Sequence, residues 1–130
     1  MLAIETKGAN SLEESVKVGR LVTLSGITSI AKSLGAQTVS EQALKYALSP
    51  NVVTGTVTDA DATDACIKFA RDHNFIVEPA CGAALAAVYN PTLLQSLVSS
   101  LPSMKNICVM VCGGNMTGNV RNPSTSKCSK

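Results

Sequence analysis

Aromatic side chains are nearly absent from this chain, and so are long apolar runs, blocks of like charge and closely paired cysteines. Phe, Tyr and Trp make up 3% of the 130 residues, whereas 45% are hydrophobic. The apolar mass is therefore Val, Leu, Ile and above all Ala, small side chains that suit helices laid closely on a sheet. Charged residues are only 15%, with a formal net charge of +2 and no Lys or Arg run long enough to track a phosphate backbone, so nucleic acid is not an expected partner. No apolar stretch approaches the roughly 20 residues that cross a bilayer, so no membrane partner is expected either. The first residues, MLAIETKGANS, lack both a basic region followed by an apolar stretch and a small-residue cleavage site. The expectation is a soluble cytoplasmic protein.

The five cysteines, Cys66, Cys81, Cys108, Cys112 and Cys128, are odd in number and contain no C-x-x-C pair. That argues against a disulfide framework and against a zinc site. Cys108 and Cys112 lie in an apparent strand, where four residues span about 13 Å, too far for a disulfide.

The length suits one domain with a real core. Short apolar runs alternate with helical patterns: Leu2 to Glu5, Leu12 to Arg20, Thr38-Val39, Glu41 to Leu48, Val52 to Val57, Ala60 to Asp72, Ile76-Val77, Pro79 to Tyr89, Pro91 to Ser100 and Ile107 to Cys112. Strand and helix in alternation predict an α/β fold with a mostly parallel sheet flanked by helices. The clearest helix is Ala60 to Asp72, with Ala62, Ala65, Cys66, Phe69 and Ala70 on one face and Thr58 or Asp59 as cap. Pro79 suits a first helical position after Glu78. The body that follows, ACGAALAAVY, is nearly all small, so this helix can approach a neighbour's backbone closely, and Gly82 gives up some helical stability to allow it.

Ile107 to Cys112 is apolar on both faces, as a buried central strand would be, and it ends in Gly113-Gly114-Asn115. Ligands of open α/β sheets sit beyond that end of a strand. Cys112 is accordingly a candidate ligand-facing thiol, or a small buried residue closing a core strand. Gly113 and Gly114 either line the ligand or punctuate a turn. His73 reads as a helix C-terminal residue beside Asp72 and Asn74. Cys66 and Cys81 read as core packing. The polar tail, NPSTSKCSK, has almost nothing to bury and is expected to be disordered.

Four segments in order, LAIETKGANSL, VGRLVTLSGITSIAKSLGAQTV, VEPACGAALAAVY and VMVCGGN, resemble the C-terminal part of the cytosolic L-serine dehydratases and their threonine-deaminating relatives, which are fold-type II pyridoxal phosphate enzymes. The resemblance runs from residue 2 to about 117. It implies that residues 1–117 are the C-terminal part of a cofactor-binding large domain, followed by the tail at 118–130. The implied activity is β-elimination from L-serine or L-threonine to a keto acid and ammonia, with the cofactor doing the electronic work. In the family a Cys or Ser at the position of Cys112 hydrogen-bonds the pyridine nitrogen, and Gly113 and Gly114 lie close to the cofactor. Asn115 is a further polar candidate.

The resemblance implies a second site, for a monovalent cation such as potassium. Its ligands carry over onto Glu5, Ala9, Ser11, Leu34 and Ala36: a carboxylate, a hydroxyl and backbone carbonyls, the hard oxygens an alkali ion prefers. The other readings are a charge at a strand end for Glu5, and for Ser11 a helix N-cap boxed with Glu14.

The family's Schiff-base lysine, its substrate-binding small domain and its phosphate loop find no counterpart here. Lys7, Lys17, Lys32, Lys45, Lys68 and Lys105 lie outside any such motif, and both ends of the chain look cut. The chain alone is therefore expected not to catalyse the family reaction. It is alternatively a non-catalytic regulatory or decoy subunit, an incomplete gene product, or a generic binding domain unrelated to pyridoxal phosphate. The family pattern suggests a homodimer or pairing with a full-length relative.

Overall fold

A computed structural model describes residues 1–98 and 103–114. The chain opens with strand β1 (Leu2–Thr6), then helix α1 (Ser11–Val18), a single 3-10 turn at Lys32–Leu34, α2 (Glu41–Ala47), β2 (Val53–Val57), α3 (Asp59–His73), α4 (Pro79–Tyr89) and α5 (Pro91–Leu97). The two strands pair in parallel, Leu2 opposite Val53 through to Thr6 opposite Val57. Parallel neighbours need a long crossover, and α1, the 20–40 segment and α2 supply it. The expected α/β class is what the chain adopts.

Helix starts follow local chemistry. Thr58 caps α3 by accepting from the Asp61 N–H at 3.1 Å, and Asp61 accepts in return from the Thr58 N–H at 3.0 Å, a reciprocal capping box. The expected boundaries of α3 and α4 agree with the structure to within a residue. Ser40 caps α2, and Pro79 and Pro91 stand at the starts of α4 and α5.

The core forms where α3 and α4 lie against each other and against the sheet. It gathers Val57, Ala62, Ala65, Val77, Cys81, Ala83, Leu85 and Ala86. Helix α4 is buried on nearly every side, which its small-residue sequence permits.

The strand expected at Ile107 to Cys112 is not one. Among the described residues this segment joins no ladder; Ile107 is 50% and Met110 75% exposed, and Cys108 and Cys112 are exposed too. Burial still alternates, because Val109 and Val111 pack on the core. The physical reason is that a ladder needs a hydrogen-bonding strand along at least one edge, and between this segment and β1 there is a groove instead. That groove has a volume of about 750 Å³ and is lined by apolar side chains including Leu2, Ile4, Leu97, Val98, Ile107 and Met110. Thr38-Val39 and Ile76-Val77 likewise form no strand. The tail at 118–130, Asn115 and the 117 boundary lie outside the described residues.

Candidate functional site

Glu5 sits near the end of β1 and is 9% exposed. Its carboxylate accepts from the Leu12 N–H at 3.1 Å and the Glu13 N–H at 2.8 Å, two of the unsatisfied donors that open α1. The carboxylate therefore does from β1 the work expected of a local cap. Burial pushes the Glu5 carboxyl above its ordinary range against the pull of these two amides, and the carboxylates of Glu13 and Glu14 push the same way. None of the ion pairs among the described residues involves Glu5.

Ser11 is not the N-cap. Asn10 holds that position, and Asn10 Nδ2 donates to Glu14 Oε1 at 3.1 Å, which displaces the expected Ser11–Glu14 box. The Ser11 hydroxyl, 1% exposed, donates instead to the Ala36 carbonyl at 2.7 Å, across 25 residues of sequence. The cap reading of Ser11 fails because the chain already satisfies the helix start from Glu5, leaving the hydroxyl to the long loop. Ala9 is buried in the turn between β1 and α1, its N–H bonded to the Thr6 carbonyl at 2.9 Å. The Leu34 carbonyl accepts from the Ala36 N–H at 2.8 Å, within the same short turn. The structure thus gathers Glu5, Ala9 and Ser11 at the start of α1 and ties that start to the loop carrying Leu34 and Ala36. A carboxylate buried without an ion-pair partner, beside a hydroxyl and backbone carbonyls, is a donor set of hard oxygens with negative charge to spare. It fits an alkali cation.

The second group surrounds the backbone of Cys112 and Gly113. The Cys112 N–H donates to Cys81 Sγ at 3.3 Å, the Cys81 thiol donates to the Gly113 carbonyl at 3.4 Å, and the Glu78 N–H donates to the same carbonyl at 3.4 Å. Cys81 was expected only to pack in the core. It also holds the backbone of Cys112 and Gly113, 31 and 32 residues away in sequence, and a cysteine inside a run of small helical residues gives no local signal for that. Gly113 lies at φ +139°, with no atom near the position its Cβ would take, so its backbone is open on that side. Gly114 backs onto the Ile76 carbonyl. The Cys112 side chain is exposed. An exposed thiol beside an open glycine backbone is compatible with one edge of a flat ring, and these residues fit the pyridine end of pyridoxal phosphate.

Glu78 connects the two groups. Besides bonding Gly113 through its amide, its carboxylate accepts from the Ser33 hydroxyl at 2.7 Å, in the turn just before Leu34. Its place before Pro79 hides this double use from sequence reading. His73 ends α3 and packs against Phe69 with ring centroids 4.5 Å apart and the rings tilted by 40°, in keeping with its expected helix C-terminal place.

The family model for the pyridoxal-phosphate dependent enzymes matches residues 1–113. The chain belongs to that family. The match takes in all five oxygen-donor residues together with Cys112 and Gly113. Over 117 residues the chain is 46% identical to a serine dehydratase-like protein of Rattus norvegicus, covering 88% of this chain and 36% of that protein. It is 44% identical to the L-serine dehydratase/L-threonine deaminase of the same organism, covering 32% of it. Among solved structures it is similar to a fungal L-serine ammonia-lyase from Rhizomucor miehei, with TM-score 0.71 and 39% identity over 79% of this chain and 31% of that one. It is also similar to maize serine racemase, with TM-score 0.76 and 27% identity over 88% and 35% of the two chains. This member of the family therefore spans about a third of the length of the relatives it matches. Among the described residues no helix is long and apolar enough to cross a membrane.

Proposed function

We propose that this chain supplies the pyridine-facing side of the cofactor site and the alkali-cation site of an L-serine/L-threonine dehydratase, acting in the cytoplasm. The observation that carries the reading is the Cys112 N–H and the Gly113 carbonyl, held by Cys81 and Glu78 in a chain 44% identical to an L-serine dehydratase/L-threonine deaminase. Pyridoxal phosphate, when bound, supplies the electron sink for β-elimination of water from the amino acid. Cys112 would meet the pyridine nitrogen as a neutral thiol, which orients the ring without forcing a full positive charge onto it. Gly113 and Gly114 let the backbone come close to the ring edge. Glu5, Ser11 and the carbonyls of Ala9, Leu34 and Ala36 would hold potassium, which neutralises the buried carboxylate and stiffens the loop joined through Ser33 to Glu78.

Catalysis also needs an amine to carry the cofactor and a base at the substrate α-carbon. Lys17 is engaged with Glu13 and Glu14, and Lys68 with Asp64, on the surface. In this reading the reactive lysine comes from sequence outside these 130 residues, and the chain alone does not turn over substrate. The test is to incubate the purified chain with pyridoxal phosphate, potassium and L-serine and to measure pyruvate. No pyruvate above the free-cofactor rate is expected; turnover from these 130 residues would refute the division of labour.

A second reading, a non-catalytic subunit that pairs with a polypeptide carrying the rest of the fold, is favoured by the apolar groove between β1 and Ile107–Met110. Co-purification with a full-length relative supports it. A chain that stays monomeric in the presence of that relative refutes it.

A further inference from the structure

Behind the oxygen-donor group lies a buried polar chain that the sequence does not announce. Asp59, the first residue of α3, accepts from the Ser29 hydroxyl at 2.6 Å and from the Ile30 N–H at 3.1 Å. The same Ser29 oxygen contacts the Thr6 hydroxyl at 2.7 Å and accepts from the Ala31 N–H at 3.0 Å. Thr6 and Ser29 are essentially inaccessible to solvent. Proton directions follow from valence. An ionised carboxylate can only accept, so Ser29 gives its one proton to Asp59, and the proton between Thr6 and Ser29 must come from Thr6. Every bonding capacity of Ser29 is then used, and in this buried place each lost partner would leave an unsatisfied polar group.

The chain of bonds continues into the oxygen donors themselves. Thr6 adjoins Glu5 on β1, Glu5 fixes the start of α1, and Ser11 on α1 holds the Ala36 carbonyl. The loop between Ser29 and Ala36 is thus pinned at both ends. At its head the Thr28 N–H bonds the Gly8 carbonyl at 3.0 Å, and Gly8 has φ +84° with Thr28 packed where a Cβ would stand. We propose that Asp59 and Ser29 are positioning residues for the alkali-cation site, setting the Leu34 and Ala36 carbonyls from the far end of the loop without touching the ion. This rests on the cation reading given above.

The test uses the purified 130-residue chain, with potassium chloride exchanged against choline chloride at constant ionic strength and the melting temperature followed. The wild type is expected to show a saturable, potassium-specific rise. Asp59→Asn keeps the side-chain size but replaces one acceptor oxygen with a donor facing Ser29 and Ile30. It is expected to raise the half-saturating potassium about tenfold, within the usual range for a coupled site. Leu94→Ala, on α5, lowers stability away from the loop and is expected to leave half-saturation unchanged. In the wild type, potassium is expected to slow amide exchange at Ile30 and Ala31, a readout that does not depend on a variant folding. A less stable Asp59→Asn with the wild-type half-saturation, or exchange at Ile30 and Ala31 indifferent to potassium, overturns the positioning role alone. A wild type with no potassium-specific rise overturns the cation reading and this inference with it.

Discussion

Replacing Gly82 with Ala tests how the core is put together, because two effects of opposite sign meet at that residue. Gly82 lies in the second turn of α4, where Ala is the better helix former by about 0.8–1.0 kcal/mol. On propensity alone the substitution stabilises. Against this, the new Cβ would stand 2.2 Å from the Ala62 carbonyl oxygen and 2.5 Å from Cys66 Sγ, where real Cβ contacts stay above 3.0 Å. A thiol can rotate away, but a carbonyl inside α3 cannot, so the two helices must part along Ala62, Ala65, Ala83 and Ala86. Overpacking of this kind costs roughly 1–3 kcal/mol, and a backbone clash belongs at the upper end, leaving a net loss of about 2 kcal/mol. For a chain of this size that is a fall in melting temperature of about 8 °C, or a urea midpoint lower by about 1 M. Urea and thermal unfolding followed by circular dichroism measure both. The double variant Gly82→Ala/Cys66→Ala removes the sulfur and leaves the carbonyl, and is expected to remain destabilised. A higher midpoint for Gly82→Ala, or full recovery in the double variant, would refute the argument that backbone contact between α3 and α4 fixes this position.

Three other outcomes follow from the same geometry. The Asp61 carboxyl is held below its ordinary value of 3.8, first by the hydrogen bond from the Thr58 hydroxyl and then by that from the Thr58 N–H. A depressed folded-state value gives stability that is present above the unfolded value and lost as pH falls through the folded one, and exposure of Asp61 keeps the effect small. Melting curves of wild type and Asp61→Asn should therefore differ near neutrality and converge in acid, while Thr58→Ala should lose about 1 kcal/mol of cap; a constant gap between wild type and Asp61→Asn at every pH contradicts the cap. Gly114→Ala would place its Cβ 2.4 Å from the Ile76 carbonyl and should destabilise by about 1–3 kcal/mol, with the Cys112 N–H losing protection in hydrogen exchange; unchanged protection there argues against the clamp. The backbone amides of Ile107 to Val111 should exchange much faster in the isolated chain than those of β2 that pair with β1, and equal protection would mean a ladder exists after all.

Much of the architecture was legible because it rests on local chemistry. The start of α3 could be read from Thr58 or Asp59 as cap, with the structure choosing Thr58, and the close packing of α4 from its run of small residues around Gly82. The parallel pairing followed from strand and helix in alternation. The members of the oxygen-donor group could be named only through resemblance, since a Glu, an Ser and three carbonyls have no recognisable spacing. At α1 the local signature and the structure differ for a physical reason. Ser11 and Glu14 carry the local signature of a capping box, but Glu5 reaches the same amides from β1 and frees Ser11 for Ala36. Local signatures compete with long-range partners, and sequence lists only the first. Asp59 and Glu78 were hidden likewise: each sits at a helix start, where a carboxylate already has a sufficient local explanation.

The segment from Ile107 to Cys112 shows what a run apolar on both faces can and cannot determine. Burial alternates along it in the fold, with Val109 and Val111 on the core and Cys108, Met110 and Cys112 outward. Side-chain alternation depends on the segment's own backbone and on one buried face. A ladder depends on a neighbour, and the neighbour is a separate stretch of polypeptide. The reading of a central strand joined these two requirements because the run is apolar on both faces, and doubly apolar runs are buried when both flanks are filled. Here one flank is the groove against β1, so Ile107 and Met110 are left exposed. The apolar outward residues therefore form an exposed apolar surface beside that groove, and the same double apolarity that reads as a buried strand in the sequence marks the lining of the groove in the fold.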